Sequence, residues 1–266
     1  MWIDTHCHLD AAEFGADSRA EALAAQERGV AMIVIPGVAA ANFCAVAHLA
    51  GSVKNATYAL GIHPLFVPQA TEEDLLALRA AVEAALGDRH FVAIGEIGLD
   101  FFIPALKEAA LREKQEHFFR AQLKMAREFG LPVLMHVRRS QDVVLKHVRQ
   151  IPPKGGIAHA FNGSFQQAQS YLELGFKLGF GGAMTFPRAL QIRRLASALP
   201  LSAIVLETDA PDLAPSWLHP ARNSPQQLPA IGAVLAELRS ISIDLVAAAT
   251  SANAHVALPR IGLTLS

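Results

Sequence analysis

The sequence predicts a single (β/α)8 barrel. Eight short strand-like runs alternate with helical stretches, the pattern of a parallel sheet with crossover helices. The length of 266 residues suits one such barrel, since this fold takes about 250 residues as one domain. No Pro/Ser linker, low-complexity tract or charge block divides the chain, so residues 1–266 are expected to form one domain.

Trp2 through His8 reads as the first strand. In extended backbone, residues i and i+2 face the same side, so His6 and His8 aim two imidazoles at one point. Such a pair alone is a weak signal, and its weight depends on where the fold puts it. Ala20–Arg28 reads as a helix closed by Gly29. Val30–Ile35 is a strand buried on both faces, ended by Pro36-Gly37. A helix follows over Phe43–Ala50. Thr57–Gly61 is the third strand and leads into Ile62-His63-Pro64. Thr71 and Asp74 form a capping-box pattern that opens the next helix, and Gly87 ends it. Phe91–Glu96 is the fourth strand. Ala109–Phe129 is a long amphipathic helix closed by Gly130. Pro132–His136 is the fifth strand, with a helix from near Ser140 to Val148. Gly156–His159 is the sixth. Ser164 and Gln167 form a second capping box, and that helix ends at Gly175. Phe176–Phe180 is the seventh strand, followed by a helix around Arg188–Ala198. Ala203–Thr208 is the eighth. Helical stretches near Pro225–Leu238 and Asp244–Ala257 complete the chain. The irregular stretch from Pro200 to Pro229 reads as the last loop and its connection.

Composition narrows the class. Hydrophobic residues make up 52% and charged residues 18%, which describes a compact folded chain. A net charge of -1 argues against broad electrostatic binding to nucleic acid but permits local phosphate contacts. No apolar run reaches spanning length. The N-terminus lacks a basic n-region, and Asp4, His6 and His8 interrupt any apolar h-region. Two cysteines, Cys7 and Cys44, give no disulfide framework. The expected setting is the cytoplasm, without membrane contact or an obligate protein partner.

Position gives the polar residues their meaning. His6 and His8 close the first strand, Glu96 the fourth, His136 the fifth and His159 the sixth. Asp209 follows the eighth. In this fold those ends converge on one face, where active sites are built. Buried imidazoles and carboxylates are costly unless paired or coordinated, so the six read as metal ligands. They are too many for one tetrahedral ion and suit two. One ion takes His6, His8 and Asp209, the other His136 and His159, and Glu96 bridges through its two oxygens. Such a pair lowers the pKa of a nucleophilic water, and Asp209 has a second role in orienting that water or taking its proton. Mixed His and carboxylate ligands accept Zn2+, Mn2+, Fe2+, Co2+ or Ni2+, and Mg2+ less naturally.

Several motifs in order resemble a known family: Asp4-Thr5-His6-Cys7-His8, Gly61-Ile62-His63-Pro64, Gly95-Glu96-Ile97-Gly98-Leu99-Asp100, His136-Val137-Arg138, His159-Ala160-Phe161-Asn162-Gly163 and Glu207-Thr208-Asp209-Ala210-Pro211. They resemble the TatD-like metal-dependent hydrolases of the amidohydrolase superfamily. With Arg138-Arg139-Ser140, Gly179-Phe180-Gly181-Gly182 and Ala210-Pro211-Asp212, the chain looks closest to the YjjV-type subgroup. The resemblance implies a TIM barrel, a two-metal site on the six residues, and metal-dependent phosphodiester hydrolysis as a deoxyribonuclease. Its substrates would be DNA or a small phosphodiester. The alternative on the same scaffold is hydrolysis of a carboxylic ester, amide or aminoacyl ester. Phe101-Phe102, Ala160, Asp212 and Asn253-Ala254-His255-Val256 depart from the family pattern. The ligands are intact, so the departures bear on substrate contacts. Asp212 near the mouth disfavours a polyanion.

His63 and Arg138 are candidate substrate residues. His63 can reach the mouth after the third strand, either as a phosphate or leaving-group contact or as a packing residue held by Pro64. Arg138 can bind a phosphate bidentately or pair with Asp100. Asp4 and Glu207 share facing parity with ligands and can orient them. His48, His90, His117, His147 and His255 are expected outside the site, and His219 is undecided. Cys7 faces away from His6 and His8.

Overall fold

The structure is a computed structural model that describes residues 1–263. Residues 264–266, part of the expected single domain, lie outside the described residues. The strands are β1 (Trp2–Asp4), β2 (Val30–Pro36), β3 (Ala56–Leu60), β4 (Phe91–Asp100), β5 (Val133–Arg138), β6 (Gly156–Ala158), β7 (Phe176–Phe180) and β8 (Ile204–Leu206). They are hydrogen-bonded in chain order, and every neighbouring pair is parallel. Backbone bonds draw the two ends of the sheet together. Thr5 N–H donates to Leu206 O at 3.1 Å, Asp209 N–H to His6 O at 2.8 Å and His8 N–H to Ala210 O at 2.8 Å. The expected (β/α)8 TIM barrel is the fold found.

Around it lie α1 (Ser18–Glu27), α2 (Phe43–Ser52), α3 (Glu72–Ala85), α4 (Ala109–Phe129), α5 (Gln141–Gln150), α6 (Phe165–Glu173), α7 (Leu190–Ala198), α8 (Leu228–Arg239) and α9 (Ile243–Ala257). Their ends follow local chemistry. Asp74 accepts the Thr71 N–H at 2.8 Å before α3. Ser164 and Gln167 satisfy each other's backbone N–H groups at 3.1 and 2.9 Å before α6, a reciprocal cap. Gly130, at φ 65, ends α4 in the left-handed conformation that glycine adopts without penalty.

Two apolar layers result. One fills the space between strands and helices, including Ile33, Ile35, Phe118 and Phe119. The other fills the barrel with Met32, Val34, Ala59, Val92, Leu134, Ile157 and Val205, and it also contains Ala254, Ala257, Leu258 and Ile261. The end of α9 and the turn after it therefore close the barrel from below. Arg260 donates to the carbonyls of Leu86, Asp88 and Phe91 at the start of β4. Asn253, in the reduced C-terminal pattern, donates to the carbonyls of Leu201 and Ile204 at the start of β8.

Four strands end two or more residues from expectation, β5 among them, which runs on to Arg138 so that His136 lies within it. β1 stops at Asp4, because the Asp4 carboxylate takes the His6 N–H together with the Thr208 N–H and hydroxyl. His6 and His8 thus sit on the loop leaving the strand. β8 stops at Leu206, leaving Glu207–Asp209 beyond it. β4 runs on to Asp100, so Glu96 lies within it. The β4–β5 register shifts between Ile94 and Ile97, and Glu96 enters the barrel at that irregularity. Beyond it, Gly98 pairs with His136; a Cβ there would sit 1.9 Å from the His136 carbonyl oxygen. Among the described residues, no helix is long and apolar enough to cross a membrane.

Candidate metal centre

The barrel's upper end opens into a cavity of about 1010 Å³ with Glu96 at its floor. The Glu96 side chain is 1% exposed, and its two oxygens face different partners. Oε2 lies 3.1 Å from His6 Nε2 and 3.5 Å from His8 Nε2. Oε1 lies 3.0 Å from His136 Nδ1 and 3.0 Å from His159 Nε2. Asp209 Oδ1 joins the first group, 3.7 Å from Nε2 of both His6 and His8. All six expected ligands are thus brought together.

The nitrogen–nitrogen approaches test whether a cation fits. His6 Nε2 lies 3.3 Å from His8 Nε2, and His159 Nε2 lies 3.4 Å from His136 Nδ1. Imidazole nitrogens that converge on each other and on one carboxylate form a mixed nitrogen and oxygen donor set. A divalent cation suits such a set. The set His6–His8–Asp209 converges closely enough to hold one, and the set His6–Glu96–His159 overlaps it at His6 and joins it to the β6 side.

Protonation follows from burial and neighbours. Burial pulls the His6 imidazole down to about 3, so it is neutral at physiological pH, as a ligand must be. Burial pushes Asp209 up to about 6, against the pull of His159 and His8. Burial also works to raise Glu96, but His63, His6 and His159 outweigh it and hold that carboxyl well below its usual range. At His136 burial opposes protonation, while bonds to Asp100 and Glu96 outweigh burial and raise it. His159 is raised in the same way by Glu96 and Glu207.

His63 also reaches the centre. Its Nε2 lies 3.3 Å from Glu96 Oε1, and its Nδ1 accepts the Leu65 N–H at 3.1 Å. Burial lowers it to about 4, so the ring is neutral. A neutral ring that accepts at Nδ1 carries its proton on Nε2 and donates it to Glu96. His63 converges with Glu96 and His136 closely enough to form a ligand set, yet this tautomer makes it a donor.

Two buried carboxylates back the histidines of the β5–β6 side. Asp100 Oδ2 lies 3.1 Å from His136 Nε2, while its Oδ1 accepts the N–H groups of Phe102 and Ile103. Glu207 Oε1 lies 3.7 Å from His159 Nδ1 and accepts the Ala160 N–H. The sequence reading placed Glu207 beside a ligand candidate and paired Asp100 with Arg138, a contact that is present at 4.0 Å, but did not give Asp100 its closer contact with His136. The signal was available: Glu96, Gly98 and Asp100 alternate along one strand, so Asp100 shares the Glu96 face. Arg138 stands at the rim, half exposed, with Nη1 4.0 Å from Asp100 Oδ2.

The remaining histidines lie elsewhere. His117 and His147 meet Glu72 and Glu116 on the helical layer, and His90 meets the Ala56 carbonyl below the sheet. His219 packs edge-on against Phe186. Cys7 is fully buried in the outer core.

Residues 3–258 match the family model described as TatD related DNase. The chain belongs to the TatD-related family. Membership and the donor clusters place it among metal-dependent hydrolases. It is 38% identical over 255 residues to YjjV of Escherichia coli K12, described as a metal-dependent hydrolase, covering 96% of each chain. A crystal structure of the E. coli YjjV protein, a TatD homologue, superposes with a TM-score of 0.91 at 37% identity, covering 97% of this chain and 98% of that one. A more distant TatD relative from Erwinia amylovora, named a 3′-5′ ssDNA/RNA exonuclease, is 32% identical and is matched over 95% of this chain and 98% of its own.

Proposed function

We propose that this TatD-related chain is a two-metal phosphodiesterase of the cytoplasm, with residues 1–266 as one catalytic unit. The observation that supports it is the division of Glu96, whose oxygens face His6, His8 and Asp209 on one side and His136 and His159 on the other. The carboxylate would bridge two divalent ions chosen among Zn2+, Mn2+, Fe2+, Co2+, Ni2+ and Mg2+. Bound there, the ions would supply an activated water and offset charge on the attacked phosphoryl group.

The protein groups do the rest. Asp209, 3.7 Å from Nε2 of both His6 and His8, would orient the attacking water or take its proton. His63 holds Glu96 through its Nε2–H, and with Nδ1 taken by the Leu65 N–H both ring nitrogens are engaged, so it would act on the substrate through the carboxylate it orients. Arg138 at the rim receives a phosphate oxygen. The named activity of the Erwinia relative supports single-stranded DNA, alongside small nucleotide-like esters, as substrates.

One observation favours a second reading. Asp10, Glu13 and Asp212 line the cavity mouth; they repel a polyanion and suit a substrate bearing an amine, such as an aminoacyl ester or amide. A panel run with metal-stripped and metal-restored protein separates the two. Single-stranded oligodeoxynucleotide or bis(p-nitrophenyl) phosphate should be cleaved once Mn2+ or Zn2+ is returned. Cleavage of aminoacyl or amide bonds alone would replace the phosphodiester reading.

A further inference from the structure

The cavity mouth is unevenly charged. Among the described residues, the Lys and Arg side chains lining it are Arg138 and Arg139, both leaving β5. The lining carboxylates that do not face the histidines are Asp10 and Glu13 after β1, and Asp212 after β8. In a ring ordered β1 to β8, β5 lies across from β1. A substrate that extends from the metal centre meets cations in one direction only.

Those cations are held by an aromatic ring. The Arg138 guanidinium lies 3.9 Å from the centroid of Phe102, and that of Arg139 lies 4.9 Å away. Phe102 is 39% exposed and lines the same cavity. Its backbone is fixed by the Asp100 carboxylate, which accepts the Phe102 N–H at 2.8 Å. Asp100 Oδ2, bonded to His136 at 3.1 Å, meets the Arg138 guanidinium through one long contact, 4.0 Å to Nη1, and does not engage it bidentately. Arg139 has no ion-pair partner among the described residues. A guanidinium stacked on a ring keeps its in-plane N–H fork free for a bidentate oxyanion.

We propose that Phe102, Arg138 and Arg139 form an anion subsite for a phosphate other than the one being cleaved. The preferred substrate is then a compact phosphodiester with a further phosphate on that side alone. This rests on the phosphodiesterase reading of the same cavity. Phe102 is a positioning residue that acts through the two arginines.

Calorimetry on the metal-loaded full-length protein tests the subsite directly. Adenosine 3′,5′-bisphosphate should bind about tenfold more tightly than either adenosine 5′-monophosphate or 3′-monophosphate, the gain of one charge-assisted bidentate contact. The ratio should fall to about one in the R138A/R139A double variant and to a few-fold in F102A, while F102Y retains it. Equal affinities in the unaltered protein, no binding of any of the three, or a ratio that survives in R138A/R139A would each overturn the proposal. Turnover of bis(p-nitrophenyl) phosphate is read separately. Its absence beside an intact binding ratio removes the phosphodiesterase reading and leaves the anion subsite standing; turnover beside a ratio of one does the reverse.

Discussion

His136 is held from both sides, by Glu96 at Nδ1 and by Asp100 at Nε2. Such a backing carboxylate fixes the tautomer and raises ligand basicity. D100N removes the charge while keeping the shape, and should weaken metal binding about 10–100-fold in competition with a chelating indicator; unchanged affinity would confine Asp100 to holding its turn. Asp209 sets the pH response. Its carboxyl is held near 6 by burial, and a protonated carboxyl cannot ligate. His136 and His159, whose protonation is favoured, must also lose protons to bind. Every one of these shifts has the same sign: metal affinity falls as pH drops, first as His159 and His136 take protons above the ordinary imidazole range and then through about 6 as Asp209 does. Indicator titrations between pH 5 and 7 should show that loss, and D209N should be weak at neutral pH with a shallower pH dependence. Equal occupancy at pH 5 and 7 would show that Asp209 does not ligate. The six converging side chains were legible because each lies at or near the end of a strand run in a fold whose strand ends converge. The second partner of His136 was missed because charge complementarity pointed Asp100 toward Arg138, its register partner on β5, while the same Oδ2 lies closer to the imidazole, at 3.1 Å against 4.0 Å.

At the scale of elements, β7 and β8 meet through an absent side chain. Gly179 on β7 lies under Glu207, and a Cβ there would sit 2.1 Å from Glu207 Oε2. G179A must displace a carboxylate that otherwise accepts the Ala160 N–H and faces His159 Nδ1. The expected cost is about 1–3 kcal/mol of stability from overpacking, read as a lower melting temperature together with weaker metal binding. A melting curve and metal affinity both equal to those of the unaltered protein would mean that β7 yields freely. Helices were more legible than strand ends. The spacing that predicts a helix over Ala109–Phe129 is met by α4 at both ends, because its stripe is long and Gly130 marks its close. β1, β4, β5 and β8 were misjudged by two to four residues at their C-terminal ends. There the backbone bonds to Asp4 or crosses a register shift, and neither contact has a local sequence period.

For the whole molecule, the barrel has a working end and a closed end, and different stretches of chain supply them. The upper end is made by loops after the strands. The lower end is sealed by the last helix and turn, whose Ala254, Ala257, Leu258 and Ile261 pack with the interior residues Ile3, Met32 and Val205. The sequence reading placed a helix there but not its task. α9 buries one stripe, Val246, Thr250, Asn253 and Ala257 among others, but that stripe contains polar Thr250 and Asn253 while apolar Leu245 and Val256 are exposed, so hydrophobicity alone did not mark the covered face. The division has a consequence for mutation. Leu258 is fully buried at the end remote from the converging histidines and carboxylates. L258A should leave a cavity and cost about 2–5 kcal/mol, which lowers Tm by roughly 5–15 °C for a chain of this size. Below that transition the histidines and carboxylates keep their places, so metal stoichiometry should equal that of the unaltered protein. Calorimetric melting and metal analysis of the same sample check both halves. An unchanged Tm would mean that α9 does not seal the barrel, and metal loss at temperatures where the variant is still folded would mean that the two ends are coupled through the interior layer.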